Sequence, residues 1–146
     1  MIIIKTQEEA EKLVNNGKIY VEEDISFECD IKLPDVDIGA AHHDICAKNI
    51  ECDSITGYFI KCDDIKTSVI VASFATTKNI SAINIYIADK LKSLDIRCNH
   101  IRVGDIKARE VKCLTLVVKN HVEAHCTNIN GRRQVKGQLK EKELFC

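Results

Sequence analysis

The residues of this chain whose types could support chemistry are eight cysteines, five histidines and a set of aspartates. Thiols and imidazoles bind zinc, paired thiols form disulfides, and carboxylates act as acid–base groups. The cysteines stand at positions 29, 46, 52, 62, 98, 113, 126 and 146, without any Cys-x-x-Cys pair. Two of them fall in the segment KNIECDSITGYFIKCDDIKTSVI, residues 48–70, where isoleucine recurs at every fifth position. Their role therefore depends on the structure that this repeat builds.

The five-residue repeat extends over most of the chain. An apolar residue occurs every five positions from 45 to 85, one extra residue intervenes, and the series resumes from 91 to 116. Its members are Ile45, Ile50, Ile55, Ile60, Ile65, Ile70, Ala75, Ile80, Ile85, Leu91, Ile96, Ile101, Ile106, Val111 and Leu116. A second series of mostly small or apolar residues lies two positions later, as at Cys52, Ala72 and Cys113. A period of five is incompatible with an amphipathic helix, whose apolar residues repeat every 3.6 positions.

This double series predicts a parallel β-solenoid. Residues two positions apart share one side of an extended segment, so both series point inward. The polar residues between and after them then lie outside or at corners, as Asp53, Asp63 and Asp64 do. Each five-residue unit forms one side, and four such sides would make a coil of about 20 residues.

The ends of a solenoid expose unpaired strand edges, which need a cover. Thr6 and Glu9 fit a capping box, which predicts a helix over 7–15 after a short strand over 2–4. Asn130-Gly131 predicts a turn near the C-terminus. We therefore divide the chain into an N-terminal strand–helix cap (1–18), the β-solenoid (19–129) and a C-terminal turn and cap or tail (130–146).

The spacing resembles that of pentapeptide-repeat proteins, whose four-sided β-helix is right-handed. In that family the small residue precedes the large one, whereas here the order is reversed, as in Ile60-Lys61-Cys62. The segments ATTKNISAINIYIAD and LDIRCNHIRVGDIKAREVKCLTL also look like short uncharacterised repeat proteins of Gram-positive bacteria and their phages, over roughly residues 24–133. The resemblance implies an all-β, right-handed parallel β-helix and a bacterial or phage source, but no particular activity.

The cysteines at 52, 62, 98 and 113 belong to the inward series, where cysteine acts as a small apolar residue. With 20-residue coils none of the four would stack directly on another, so we favour core packing over a metal site or a disulfide. His121, His125 and Cys126 lack a fourth ligand, and we interpret the histidines as surface residues. No phosphate loop, nucleophile elbow or metalloprotease motif occurs, so we expect no catalytic residue, metal or cofactor.

Charge is divided unevenly along the chain. Residues 1–75 hold 7 Lys+Arg and 15 Asp+Glu, whereas residues 76–146 hold 14 and 7, for a net charge of −1. No apolar run is long enough for a membrane helix, and the start MIIIKTQEEAEKL lacks the pattern of a signal peptide. We therefore expect a cytoplasmic protein with reduced thiols and no membrane partner.

Two groups of outward residues are candidate contact sites. Apolar residues on neighbouring sides form a candidate protein interface, because exposed apolar clusters often mark partner surfaces. They are Tyr58, Phe59, Val69, Val71 and Phe74. Basic residues after five consecutive large residues are expected to ring one coil and to contact an anionic partner. They are Lys92, Arg97, Arg102, Lys107 and Lys112.

These features favour a non-catalytic protein-interaction or scaffold module. Its partner would be another protein or a second copy, with a homodimer formed through a solenoid end or a charge-complementary contact. One alternative is a phage-type effector or inhibitor that acts on nucleic acid or on a DNA-handling protein. Nucleic acid is the less favoured partner, because aromatic stacking residues are scarce near the basic group. Another alternative is an enzyme whose site lies at a protomer interface.

Overall fold

A computed structural model describes residues 1–136 and 139–141 and consists of about seven stacked parallel β-coils. One helix, α1, spans Gln7–Leu13. The strands are β1 Ile2–Ile4, β2 Lys18–Tyr20, β3 Ile25–Phe27, β4 Ile31–Ala40, β5 Ile45–Cys46, β6 Asn49–Lys61, β7 Asp64–Thr76, β8 Asn79–Lys92, β9 Asp95–Arg97, β10 His100–Cys113, β11 Thr115–Val118, β12 Val122–Ile129, β13 Arg133–Val135 and β14 Leu139–Glu141. All pairings among these strands are parallel, which confirms the predicted β-solenoid.

The pairing register sets the length of a coil. Ile50 pairs with Ile65, and Ile65 pairs with Ile80, so a coil takes 15 residues in this part of the stack. The predicted coil of about 20 residues with four units is therefore wrong here, because three five-residue units complete one coil. The period of the sequence sets the unit, but it does not say how many units pass before the chain returns to the same column. Only the first coils are longer, as the pairing of Ile25 with Ile45 indicates.

Three columns of large side chains fill the interior, and we name each after one member. The Ile45 column contains Ile25, Ile45, Ile60, Ala75, Leu91, Ile106 and Val122. The Ile50 column contains Ile31, Ile50, Ile65, Ile80, Ile96 and Val111. The Ile55 column contains Ile19, Ile38, Ile55, Ile70, Ile85, Ile101 and Leu116. All of these side chains are at most 3% exposed. We call the outer surface over each column the Ile45 face, the Ile50 face or the Ile55 face.

The second, smaller series also points inward, as predicted. Its members are buried or half-buried, and they fill the space beside the three columns. The polar members are satisfied by hydrogen bonds, as buried polar groups must be. Thr77 Oγ1 donates to Ser93 Oγ at 2.8 Å, and Ser93 Oγ donates to the carbonyl oxygen of Lys78 at 3.1 Å.

The extra residue between Ile85 and Leu91 forms an irregularity in β8. Ala72 pairs with Ile87, fifteen positions on, whereas Phe74 pairs with Lys90, sixteen positions on. The next coil compensates between Val103 and Asp105, where the register shifts back. The insertion therefore stays local, and the buried columns continue in register on both sides of it.

The helix α1 covers the first rung of the Ile50 column. Thr6 caps it by accepting a hydrogen bond from the N–H of Glu9 at 3.2 Å, which confirms the predicted cap. The side-chain amide of Gln7 then acts like a neighbouring peptide group: it donates to the carbonyl oxygen of Lys32 and accepts from the N–H of Lys32, both at 3.0 Å. The edge of β4 is thereby paired at this residue, which reduces the exposed strand edge. Ala10 is fully buried beneath the helix.

The helix ends at Leu13, two residues before its predicted end. Asn15 and Lys18 exchange backbone hydrogen bonds of 2.8 and 3.0 Å across a tight turn. Asn16 and Gly17 adopt positive φ in that turn, which a continuing helix would not allow. The turn therefore begins within the predicted helix and directs the chain into β2.

Replacing Gln7 with alanine is expected to lower the free energy of unfolding by about 1–2 kcal/mol, because two hydrogen bonds to Lys32 are lost. We also expect faster aggregation, since the edge of β4 becomes unpaired at this residue. Urea denaturation and light scattering measure the two effects. Lys12→Ala is the control on the same helix, and equal behaviour of the two variants would contradict the capping role of Gln7.

The described C-terminal strands extend the stack. β13 pairs with β11 and β14 pairs with β12, both in parallel. The predicted C-terminal region (130–146) includes residues 137–138 and 142–146, which lie outside the described residues. Its interpretation as a cap or tail therefore stays a prediction.

Candidate interaction surface

The Ile55 face carries a column of exposed residues, each directly after a member of the buried Ile55 column. Tyr20 pairs with Gly39, and the column continues through Thr56, Val71 and Tyr86. Because side chains alternate along a strand, each residue after a buried isoleucine points outward. Four steps between coils separate Tyr20 from Tyr86, a distance of about 19 Å. We call these residues, together with Tyr58, the tyrosine face.

All three tyrosines of the chain lie on this face. Tyr20 is 63% exposed, Tyr58 47% and Tyr86 44%, and Val71 beside them is 41% exposed. Tyr58 belongs to the same outer surface because it follows Thr56 by two residues in β6. A chain without tryptophan has thus collected its tyrosines at one place and left them open to solvent.

Gly39 makes room for the first tyrosine. A Cβ atom at Gly39 would lie 3.2 Å from Cδ2 of Tyr20, so the ring lies across the glycine backbone. The ring is fixed on one side by this contact and remains open on the other. This geometry leaves a flat aromatic surface at the N-terminal end of the face.

The central part of the tyrosine face bears no charged residue in its two outward columns. The column before the buried isoleucines contains Ser54, Val69 and Asn84, and the column after them contains Thr56, Val71 and Tyr86. Charges begin only at the margins. Asp37 accepts a hydrogen bond from Ser54 Oγ at 2.6 Å at one end, and Arg102 follows Tyr86 at the other. The surface is therefore uncharged and partly apolar, with hydroxyl and amide groups among the apolar side chains.

The predicted interface residues are divided between this face and its neighbour. Val69 and Val71 lie on the Ile55 face in successive outward positions. Phe59 and Phe74 pair with one another on the Ile45 face, where both are half-buried. Tyr58 joins the two groups across the corner, since its ring meets that of Phe74 edge-on with centroids 5.6 Å apart. The structure thus brings the five residues into one continuous region.

Sequence reasoning missed Tyr20 and Tyr86. Both follow a buried isoleucine, as Val71 does, so a signal was present in the repeat itself. A 20-residue coil would not have stacked Val71 and Tyr86, which are 15 positions apart. The 15-residue coil does, and it makes the column visible.

The predicted basic residues do not form one ring. Lys92 stacks beneath Lys107, and Arg97 stacks beneath Lys112, on the Ile45 and Ile50 faces respectively. Arg102 lies on the third face, next to Tyr86. In a 15-residue coil, five consecutive units pass around the solenoid more than once, so the five charges point in three directions.

Two of these basic residues are also paired with carboxylates. Lys107 Nζ lies 2.9 Å from Glu123 Oε1, and Lys112 Nζ lies 2.8 Å from Glu110 Oε1. These pairs reduce the positive potential of the surface, although exposed ion pairs contribute little to stability. The group therefore offers an anionic polymer no single continuous basic surface.

The Ile50 face carries a polar groove of about 610 Å³ along the solenoid axis. Aspartate and asparagine alternate along one rim, and Asn49 Nδ2 donates to Asp30 at 3.0 Å while Asn79 Nδ2 donates to Asp64 at 2.6 Å. The other rim contains the ion pair between Lys66 and Glu51, at 2.7 Å. Alternation prevents like charges from stacking directly upon each other. These rim groups bind one another from coil to coil, which gives them a structural role.

Cys52 and Cys62 are buried and protonated. The Cys52 thiol donates to Thr67 Oγ1 at 3.6 Å, and burial raises its pKa to about 11. The Cys62 thiol lies 3.4 Å from the carbonyl oxygen of Lys48, and burial raises its pKa to about 12. A neutral thiol is a poor metal ligand, because the thiolate is the binding form. Both residues therefore act as small apolar residues of the core, as predicted.

Cys98 and Cys113 behave differently. Arg97 pairs with Lys112, so Cys98 and Cys113 are direct neighbours in adjacent coils. The expectation that none of the four inward cysteines would stack on another is thus wrong, because it depended on a 20-residue coil. A hydrogen bond from the Cys98 thiol lowers the pKa of Cys113, and the same bond together with burial raises the pKa of Cys98.

Other titratable residues form no larger cluster. Among the residues that the structure describes, no group of three or more His, Cys, Asp or Glu is placed to hold a metal ion. His121 contacts Asp105, with Nδ1 3.3 Å from Oδ1. The side chains of His125 and Cys126, considered with His121 from the sequence, lie outside the described part.

Comparisons with known proteins supply no family. No helix among the described residues is long and apolar enough to span a membrane. The resemblance to pentapeptide-repeat proteins and to short repeat proteins of bacteria and phages stays a prediction drawn from the spacing. No protein-family model matches the chain, and no curated protein or solved structure is similar enough to count as a match.

Proposed function

We propose that this chain is a non-catalytic interaction module that binds a protein partner through its tyrosine face. The observation that carries the proposal is the exposure of all three tyrosines of the chain, together with Val71, on one uncharged surface. Aromatic residues are enriched and charged residues depleted in the buried centres of protein interfaces. Tyrosine also combines a large apolar area with a hydroxyl group that forms hydrogen bonds, and it is frequent among residues that dominate binding energy.

The solenoid supports this role because its surface is held by a continuous hydrogen-bonded stack. The tyrosine face is built on β6, β7 and β8, which pair with one another over ten or more residues. Little conformational entropy is then lost when these strands bind a partner. A partner with an uncharged surface that offers apolar groups and hydrogen-bond acceptors fits this face best.

A nucleic-acid partner is less well supported. Binding to a phosphate backbone requires several cations on a common surface. The candidate basic residues point in three directions, and Lys107 and Lys112 are paired with glutamates. The tyrosine face itself provides no charge for phosphate groups.

The same proposal includes finer features that the resemblance implies. They are right-handed winding, five-residue sides, a cytoplasmic location and a bacterial or phage source. A crystal structure would decide the first two directly, since the direction of winding and the corners of each coil would be visible.

The test is capture of a binding protein with matched surface variants. Replacing Tyr20, Val71 and Tyr86 with serine should reduce captured partner at least about tenfold, because residues of this kind often contribute more than 1.4 kcal/mol each. The control replaces three apolar residues of similar exposure elsewhere with serine: Ile83 (49%), Leu94 (48%) and Leu114 (45%). The control variant should retain the partner within about twofold.

Two outcomes would contradict the proposal. If both triple variants lose the partner equally, general surface hydrophobicity explains the capture. If the wild-type chain captures no protein but sediments as a dimer that the tyrosine-face variant abolishes, the occupant of the face is a second copy. Salt-dependent binding to DNA or RNA that the tyrosine-face variant leaves unchanged would instead favour the nucleic-acid alternative.

A further inference from the structure

Two cysteines of neighbouring coils lie side by side near the surface. Cys98 and Cys113 each follow a buried aliphatic residue by two positions, and the pairing of Arg97 with Lys112 puts them in register. The N–H of Cys98 donates to the carbonyl oxygen of Lys112 at 3.0 Å, which holds the two segments together. Neighbouring strands lie about 4.8 Å apart, and a disulfide needs Cα atoms about 4.4–6.8 Å apart. The backbone therefore already has the spacing that a disulfide requires.

The thiols also lie in mutual contact. A hydrogen bond joins the side chains of Cys98 and Cys113, so the sulfur atoms point toward each other. The comparison with the other buried cysteines is informative. Cys52 faces the hydroxyl group of Thr67 in the next coil, and Cys62 contacts backbone carbonyl oxygens. Neither has a second thiol as its hydrogen-bond partner.

Solvent has access to this pair. Both cysteines line an open cavity of about 410 Å³, and Cys98 is half-buried. Arg97 and Lys112 line the same cavity. Nearby cations stabilise a thiolate, which is the reactive form of cysteine. The lowered pKa of Cys113 acts in the same direction.

We propose that Cys98 and Cys113 form a reversible disulfide between two coils and that hydrogen peroxide is a sufficient oxidant. This inference is independent of the tyrosine face. It assigns a redox modification site to the Ile50 side of the solenoid, whereas the partner-binding surface lies on the Ile55 face.

The chemistry requires two steps. The Cys113 thiolate attacks one oxygen of hydrogen peroxide, the O–O bond breaks, and Cys113 sulfenic acid and hydroxide form. The Cys98 thiol then attacks the sulfenic sulfur, the S–O bond breaks, and the disulfide and water form. The hydroxide takes up the proton that Cys113 lost, so two thiols and one peroxide give one disulfide and two waters. A dithiol reductant reverses the change by thiol–disulfide exchange.

The sequence around the pair permits a direct measurement. Trypsin cleaves after Arg97, Arg102, Lys112 and Lys119, so each cysteine falls in its own peptide: CNHIR (98–102) and CLTLVVK (113–119). The folded protein is treated with a small excess of peroxide, denatured, alkylated and digested. Covalent dimers are removed first on a non-reducing gel, so that only bonds within one chain are counted.

We expect the two alkylated peptides to be replaced, for more than half of the protein, by one linked peptide. Its mass should be two hydrogens lighter than the sum of the free peptides, and dithiothreitol should restore both. Cys98→Ser and Cys113→Ser should each abolish the linked peptide, whereas Cys52→Ala should leave it unchanged. Recovery of both peptides unlinked, or their linkage chiefly to other cysteines, would overturn the proposal. The wild-type measurement decides this even if a variant folds poorly.

Discussion

Ile70→Ala is expected to lower the free energy of unfolding by about 2–5 kcal/mol. Ile70 is 0% exposed and lies in the middle of the Ile55 column, between Ile55 and Ile85, which are equally buried. The coils above and below are fixed by their own hydrogen bonds, so they cannot close around the space that the lost atoms leave. The cost therefore includes both the lost transfer of apolar groups from water and an unfilled cavity. Urea denaturation followed by circular dichroism measures the change.

Two further variants separate burial from residue type. Ile70→Val should cost about 0.5–1.5 kcal/mol, because only one methyl group is removed. Ile83→Ala removes the same atoms as Ile70→Ala, but Ile83 is 49% exposed, and its loss should change stability by about 0.5 kcal/mol or less. If Ile83→Ala were as destabilising as Ile70→Ala, the buried column would not be the principal source of stability.

Gly104→Ala is expected to cost about 3 kcal/mol, at the upper end for an overpacked site. A Cβ atom at position 104 would lie 2.3 Å from the carbonyl oxygen of Asp89 and 2.7 Å from that of Ala88. Both atoms belong to the backbone of the preceding coil, at the place where its extra residue is accommodated. They cannot rotate away, so β8 and β10 would have to separate locally. The melting temperature and the urea midpoint should both fall.

Gly39→Ala is the matched control for Gly104→Ala. Its Cβ would meet the ring of Tyr20 at 3.2 Å, and that exposed ring is free to turn aside. We expect a cost of about 1 kcal/mol or less. Neither glycine has a positive φ, so a difference between the two variants reports packing rather than backbone strain. Equal stability of the two proteins would show that the coils tolerate separation at Gly104.

The interior of the fold could be predicted from the sequence. Isoleucine at every fifth position, with a small residue two positions later, requires an extended chain that turns at regular intervals. The two inward series, the extra residue before Leu91 and the cap at Thr6 all follow from local spacing, and the structure confirms each of them. These features are local because they depend on residues only a few positions apart.

The candidate site could be predicted only in part. Val71 and Tyr58 were identified because they interrupt the polar pattern of their own strands. Tyr20 and Tyr86 were missed because nothing in their immediate neighbourhood connects them to Val71. The expected ring of basic residues was drawn on the same four-unit coil, and it separates onto three faces when the coil has three units.

The sequence by itself determined the unit of this protein: five residues, one large and one small side chain inward, and polar residues outward. The tertiary structure decided how many units close a coil. That number depends on how the side chains of three columns fill the interior together, which is a property of residues 15 or more positions apart. It also decides every neighbour relation on the surface. The tyrosine face and the adjacent thiols of Cys98 and Cys113 exist because the coil returns after 15 residues, so neither could be derived before the register was known.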